Sequence, residues 1–257
     1  MTKIYGIVPA RMAASRFPGK PMFPILGRPM VEHVFLRAAM YTGWSKLTLA
    51  TCDDEIANFA ASKGISCTMT GAHHTRALDR VAEAVQRLGE PVDDQDIVVC
   101  VQGDEPMMRP DMIDTVVEPL LKDPGKAGTI LAMHIVDKDI WMNPDTVKLV
   151  HNAAGEVLYT SRVPLPYCKG EFSADLMARR IYGIFAFRWK YLKMFTEHPE
   201  TRLERLEACD SNRILDMGFR QHIAPYPNIP SYSVDSPGDI QLVEKYMRGD
   251  VLWESYK

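Results

Sequence analysis

The chain has 257 residues, 46% hydrophobic and 25% charged, which is enough for one large α/β domain with a substantial core. Thirty Lys and Arg against 33 Asp and Glu give a net charge of −3, which excludes a general attraction to nucleic acid or an anionic membrane and makes any phosphate binding local. No apolar run is long enough to span a bilayer, the N-terminus lacks signal-peptide order, and the five cysteines form no CxxC pair, so a reduced, cytoplasmic setting is expected.

The apolar run Ile4–Val8 predicts a first strand. It enters the segment VPARMAASRFPGK (8–20), which spaces Arg11, Arg16 and Lys20 among small residues. Small side chains let backbone come close to a ligand, and three cations so spaced can surround a polyphosphate. The Walker A order is absent. Met30–Tyr41 then predicts a helix with Val31, Val34, Phe35 and Ala38 on one face, and Lys46–Thr51 a strand. Asp53-Asp54 can cap a helix over Glu55–Lys63. Ile65–Met69 and Ile97–Val101 predict strands, Leu78–Leu88 a helix, and Pro110–Leu121 a helix with proline in its first turn. This alternation predicts a mostly parallel sheet with helices on both faces.

The second half is less regular. Strands are expected over Thr129–Val136, Val147–His151 and Arg180–Arg188, and helices over Leu203–Leu215 and Pro237–Met247. Turn residues are densest from Lys138 to Pro166, which predicts a smaller lobe around 138–188 within a single domain spanning 1–257. That lobe would cover the substrate or meet a second subunit.

Gln102-Gly103-Asp104-Glu105-Pro106 follows a buried-type strand, so its side chains belong at the carboxyl edge of the sheet, where open α/β folds bind ligands. A carboxylate at Asp104 can hold Mg²⁺ through oxygen; a turn or cap is the plainer use of such a residue. Asp235, in Ser233–Asp239, precedes a helix start, and N-capping competes there with metal binding. No GxSxG, HExxH or GxGxxG sequence is present.

Together these motifs resemble the sugar nucleotidylyltransferases, most closely the CMP-KDO synthetase family, KDO being 3-deoxy-manno-octulosonic acid. GRPMVEHV, ATCDDEIANFAASKG, NPDTVKLV and YTSRVPLPY extend the resemblance along nearly the whole chain, in the same order. It implies a Rossmann-like, GT-A-like mixed sheet, a homodimer, and Mg²⁺-dependent transfer of CMP from CTP to a hydroxyl of an acid sugar, with release of pyrophosphate. Such an in-line displacement needs charge neutralisation and positioning more than a covalent nucleophile. The resemblance makes Arg11, Arg16 and Lys20 the catalytic cations and Asp104 and Asp235 the metal ligands. It puts Pro9, Ala10, Arg11, Ala13, Arg16, Lys20, His74, Arg76, Asp79, Arg80, Gln102 and Gly103 around the nucleotide. Gln102, Tyr159, Arg162, Arg180, Phe185, Asp210 and Ser211 would face the acceptor, with Asn143 and Lys148 as further candidates.

The chain departs from the family pattern where ligands are read. Arg76-Ala77-Leu78 replaces a Ser-Gly-Thr centre, Gly71 an arginine, Ile181 and Phe185 a histidine and a tyrosine, and Asp210-Ser211 a Glu-Gln pair. These changes leave open an amino-modified KDO, another 2-keto-3-deoxy acid, a small phosphonate, or a triphosphate other than CTP. A catalytically silent nucleotide-binding module is the alternative from another class; two candidate metal aspartates argue against it.

Overall fold

Side-chain alternation in the first strand sets up both faces of the sheet: Ile4 and Val8 point into one apolar cluster, Tyr5 and Ile7 into the other. The computed structural model describes residues 2–13 and 16–257. After β1 (Ile4–Pro9) come a hairpin, β2 (Pro24–Ile25) and β3 (Arg28–Pro29), and α1 (Met30–Ala39). Next are β4 (Lys46–Thr51), α2 (Asp54–Ser62), β5 (Cys67–Met69), α3 (Ala77–Gln86), β6 (Ile97–Val101) and α4 (Pro110–Lys122). The second half holds β7 (Gly128–His134), α5 (Lys138–Met142), β8 (Lys148–His151), β9 (Val157–Ser161), β10 (Arg179–Arg188), α6 (Trp189–Glu197), α7 (Arg202–Glu207), α8 (Ser211–Asp216), β11 (Gln221–Tyr226), α9 (Asp239–Met247) and α10 (Val251–Glu254).

The main sheet runs β11-β7-β10-β6-β1-β4-β5, with β8 and β9 added beside β10. Pairings β1 with β4, β1 with β6, β4 with β5 and β7 with β11 are parallel, while β10 is antiparallel to β6, β7 and β8. Helices α1, α2 and α4 cover one face through Val31, Val34, Ile56, Met112, Val116 and Leu120. On the other face α3, α6 and α8 contribute Leu78, Val81, Val85, Leu192, Phe195 and Ile214. This is the expected mixed, mostly parallel α/β architecture.

Several elements differ from the sequence expectation. The helix expected over 203–215 is two helices, broken at Ala208, whose φ of 49° is left-handed. Residues nine apart on a continuous helix lie on opposite faces. The break instead lets Arg213 reach Glu204 with Nε at 2.7 Å and Nη2 at 2.6 Å, both side chains buried. Strand β5 starts at Cys67 rather than Ile65. The last long helix starts at Asp239, whose carboxylate accepts from the backbone N–H groups of Asp235 and Ser236 and fixes the turn before it. Strands β9 and β11 and helix α6 are not among the elements expected from the sequence. β11 contains Pro225, which is tolerated because β11 is the edge strand of the main sheet, with β7 as its ladder partner.

Candidate active site

Parallel neighbours β1 and β6 end at the same edge, and the chain reverses strand order between them: from β1 it moves out to β4 and β5, then returns to β6 on the other side. Crevices at such reversals bind ligands in open α/β sheets. Gly103 permits the closeness, since a Cβ there would lie 2.6 Å from the carbonyl oxygen of Pro9. The resulting cavity of about 270 Å³ is lined by Pro9, Ala10, Arg11, Arg16, Phe17, Lys20, Pro21, Met30, His74, Thr75, Arg76, Ala77, Arg80, Gln102, Gly103, Asp104 and Asp235. Five cationic side chains thus face two carboxylates.

Lys20 Nζ, only 13% exposed as a side chain, donates to Asp104 Oδ2 at 3.0 Å and to the Val234 carbonyl at 2.7 Å. Val234 N–H in turn donates to the Asp104 carbonyl at 3.0 Å, which stitches the C-terminal segment to the end of β6. Arg16 bridges Asp145 at 2.6 Å and Asp235 at 2.7 Å. Arg11 Nη1 donates to the His74 carbonyl at 3.2 Å. Arg80 is buried, with Nη1 on Thr70 Oγ1 and Nη2 without a partner among the described residues.

Asp104 Oδ1 is likewise buried and unpartnered among the described residues. Burial, and next the charge of Asp104, raise the pKa of the Asp235 carboxyl. The same two causes, in the same order, push Glu105 up to about 7. Glu105 accepts from Gly183 N–H at 3.0 Å and from the Ser233 hydroxyl at 2.8 Å, bracing β10 and the Asp235 segment around the site. Glu105 and Asp145 carry no expected role from sequence, although both sit inside the motifs QGDEP and NPDTVKLV.

The remaining candidates lie outside the cavity lining. Ala13 is exposed, and Ala14 and Ser15 of the same loop lie outside the described residues. Asp79 turns to Arg213 at 3.4 Å. Tyr159 donates to Glu207 Oε1 at 2.8 Å, and Arg162 donates through Nε to the Glu207 carbonyl at 2.9 Å and through Nη1 to that of Pro144. Arg180 donates to the Ser231 carbonyl at 3.0 Å, Phe185 is buried within the sheet core, and Ser211 is buried. Asp210 sits 3.9 Å from Arg76 Nε, and burial pushes its carboxyl up to about 6 despite that arginine. Lys148, fully buried, donates to the carbonyls of Asn143, Thr146 and Arg162 at 2.6–2.7 Å and so holds the lobe together; Asn143 supplies backbone to that clamp.

A cationic loop and a pair of carboxylates at the strand-order reversal define a nucleotidyltransferase of the α/β class. The chain belongs to the cytidylyltransferase family, whose family model matches residues 5–222. A 3-deoxy-manno-octulosonate cytidylyltransferase of Nitratidesulfovibrio vulgaris strain Hildenborough is 41% identical over 246 residues, covering 95% of this chain and 96% of the relative. One from Haemophilus influenzae strain Rd is 36% identical, covering 92% and 95%. Among solved structures, a CMP:2-keto-3-deoxy-manno-octonic acid synthetase complexed with CTP superposes with a TM-score of 0.86 at 30% identity, covering 96% of this chain and 99% of that one. The 4-diphosphocytidyl-2C-methyl-D-erythritol synthase of Anaerococcus prevotii, at 16% identity and a TM-score of 0.63, shares the fold. Among the described residues no helix is long and apolar enough to cross a membrane.

Proposed function

We propose that this chain transfers CMP from CTP to a hydroxyl of KDO or a closely related acid sugar, releasing pyrophosphate. The observation that carries this reading is the set of five cations around Asp104 and Asp235 at one cavity. The names of the relatives and the CTP complex of the solved neighbour support it. Lys20 and Arg16 supply positive charge to the departing pyrophosphate, and Arg11 lies beside the nucleotide phosphates. Arg80, with one buried N–H group unpartnered among the described residues, has a donor left for the nucleotide.

Asp104 and Asp235 fit a hard divalent cation with oxygen ligands, and we assign Mg²⁺ to them. The buried, unpartnered Oδ1 of Asp104 and the pKa-raising charge it exerts on Asp235 both support a cation there. When bound, Mg²⁺ would neutralise triphosphate charge. We read the enzyme as cytoplasmic and homodimeric, one domain with a smaller lobe; exposed Met142, Leu158, Val163 and Tyr167 on that lobe favour contact with a second copy.

A second reading of the acceptor is favoured by Arg76. Its Nε pairs with Glu200, Glu204 and Asp210 at 3.3, 3.8 and 3.9 Å, an anchored guanidinium at the cavity wall. Three carboxylates around one guanidinium leave it no free positive charge, so this wall suits an acceptor with an amino substituent rather than a further acid group. The test is pyrophosphate release with Mg²⁺, crossing CTP, UTP, ATP and GTP with KDO, its amino analogue, other 2-keto-3-deoxy acids and small phosphonates. Release with CTP and KDO is expected. A kcat/KM about tenfold higher for another acid would replace the acceptor, and no release with any pair would overturn the transferase reading.

A further inference from the structure

His73, His74 and Glu83 lie beside the loop that walls the nucleotide cavity, and their potential ligand atoms all fall within 4.8 Å of one another. Metal bonds of about 2.0–2.2 Å to imidazole nitrogen and carboxylate oxygen put neighbouring ligand atoms roughly 3–4 Å apart, so small side-chain rotations would close this set on one ion.

The surrounding chain builds the arrangement. A Cβ at residue 71 would lie 2.3–2.4 Å from the His73 ring, so the glycine leaves room for that imidazole to fold back. The centroids of the two histidine rings lie 4.1 Å apart, and His74 Nε2 meets Glu83 Oε2. Gly71 N–H donates to the same Glu83 oxygen at 2.9 Å, and Arg87 pairs with the other, so the carboxylate is oriented at both ends. Metal-binding carboxylates are supported in this way by outer partners. The three residues open onto a groove that Asp79, His198 and Glu200 also line, so water can complete the coordination. Arg213 lines the groove as well, but it is already paired with Glu204 and Asp79.

We propose that His73, His74 and Glu83 form a second metal site, for a first-row transition ion such as Zn²⁺, separate from the Asp104–Asp235 pair. Two imidazoles with one carboxylate suit zinc, whereas Mg²⁺ favours oxygen ligands throughout. His74 belongs to both places: its ring faces this cluster while its carbonyl accepts from Arg11. An ion there would brace the wall of the nucleotide cavity. The site goes beyond the transfer reaction and does not depend on it.

The test is a titration of the full-length, chelator-treated protein with Co²⁺ alone, read by its visible absorption, with Zn²⁺ as competitor and no nucleotide present. One Co²⁺ per chain, displaced by Zn²⁺, is expected. Affinity should fall at least about tenfold in His73→Ala and in Glu83→Gln and remain unchanged in Asp104→Asn. Zn²⁺ should also raise the melting temperature of the wild type but not of His73→Ala, which keeps its Mg²⁺-dependent turnover as proof of its fold. Absence of a Co²⁺ band, binding unaffected by both His73→Ala and Glu83→Gln, or binding lost in Asp104→Asn would overturn the proposal.

Discussion

Asp104 shows how a single residue trades stability for chemistry. One carboxylate oxygen rests on Lys20, the other is buried without a partner among the described residues, and the neighbouring carboxyls of Glu105 and Asp235 are raised first by burial and next by its charge. Half-buried and paired with Lys20 on one oxygen, a carboxylate so close to two others still disfavours the empty site until a second cation enters. Asp104→Asn keeps the shape and removes both the charge and the repulsion. We expect it to lower Mg²⁺-dependent pyrophosphate release by about a hundredfold or more, the scale of a lost charge-stabilising contact in a transition state. Its melting temperature should stay at or above that of the wild type, because Lys20 keeps the Val234 carbonyl as an acceptor. A release assay and a thermal melt on the same preparation check both halves, and wild-type turnover would remove Asp104 from the metal site.

At the level of elements, the break between α7 and α8 places Glu204 and Asp210 beside Arg76 and pairs Glu204 with Arg213, and it depends on Ala208 in a left-handed conformation. Glycine adopts that conformation without a Cβ clash, so Ala208→Gly should stabilise the protein by about 0.5–1 kcal/mol, read as a higher urea midpoint at unchanged slope. No local pattern in RLERLEACDSNRIL marks the break, because what favours it is the Glu204–Arg213 pair that forms only once the chain has turned. The first half was legible for the opposite reason. In β1, β6, α1 and α4 the burial period, a proline at a helix start and a strand running directly into a loop are all local, so Arg11, Lys20, Gln102 and Asp104 could be placed from sequence. Tyr159, Arg162 and Lys148 could not be placed, since their polar ends are claimed by Glu207 and by backbone carbonyls brought near only by tertiary structure.

Across the whole molecule, two buried groups give opposing pH dependences to stability. His33 on α1 ties the hairpin to the C-terminus: Nε2 contacts the Ile25 carbonyl at 2.8 Å and Nδ1 the Tyr256 hydroxyl at 2.9 Å. Burial is the main cause that lowers it to about 4 from an ordinary 6.5, so between those values the unfolded chain binds the proton and the fold does not. Stability supplied by neutral His33 is present above pH 6.5 and is lost as pH falls toward 4, a total of roughly 3 kcal/mol. Glu105 runs the other way. Raised from 4.5 to about 7, it takes a proton in the fold before it does in the unfolded chain, so its contribution to stability falls as pH rises from 4.5 to 7. Over the shared window the two oppose each other, and Asp210, raised to about 6, adds to the Glu105 side, so the wild-type pH profile does not isolate either. His33→Gln separates them. Its deficit relative to wild type, measured by urea unfolding, should be largest above pH 6.5 and should shrink by about 2–3 kcal/mol by pH 4.5, because the variant no longer loses stability to histidine protonation. A deficit that stays constant across that range would mean that His33 titrates alike in the folded and unfolded chains, and that its two contacts do not keep it neutral.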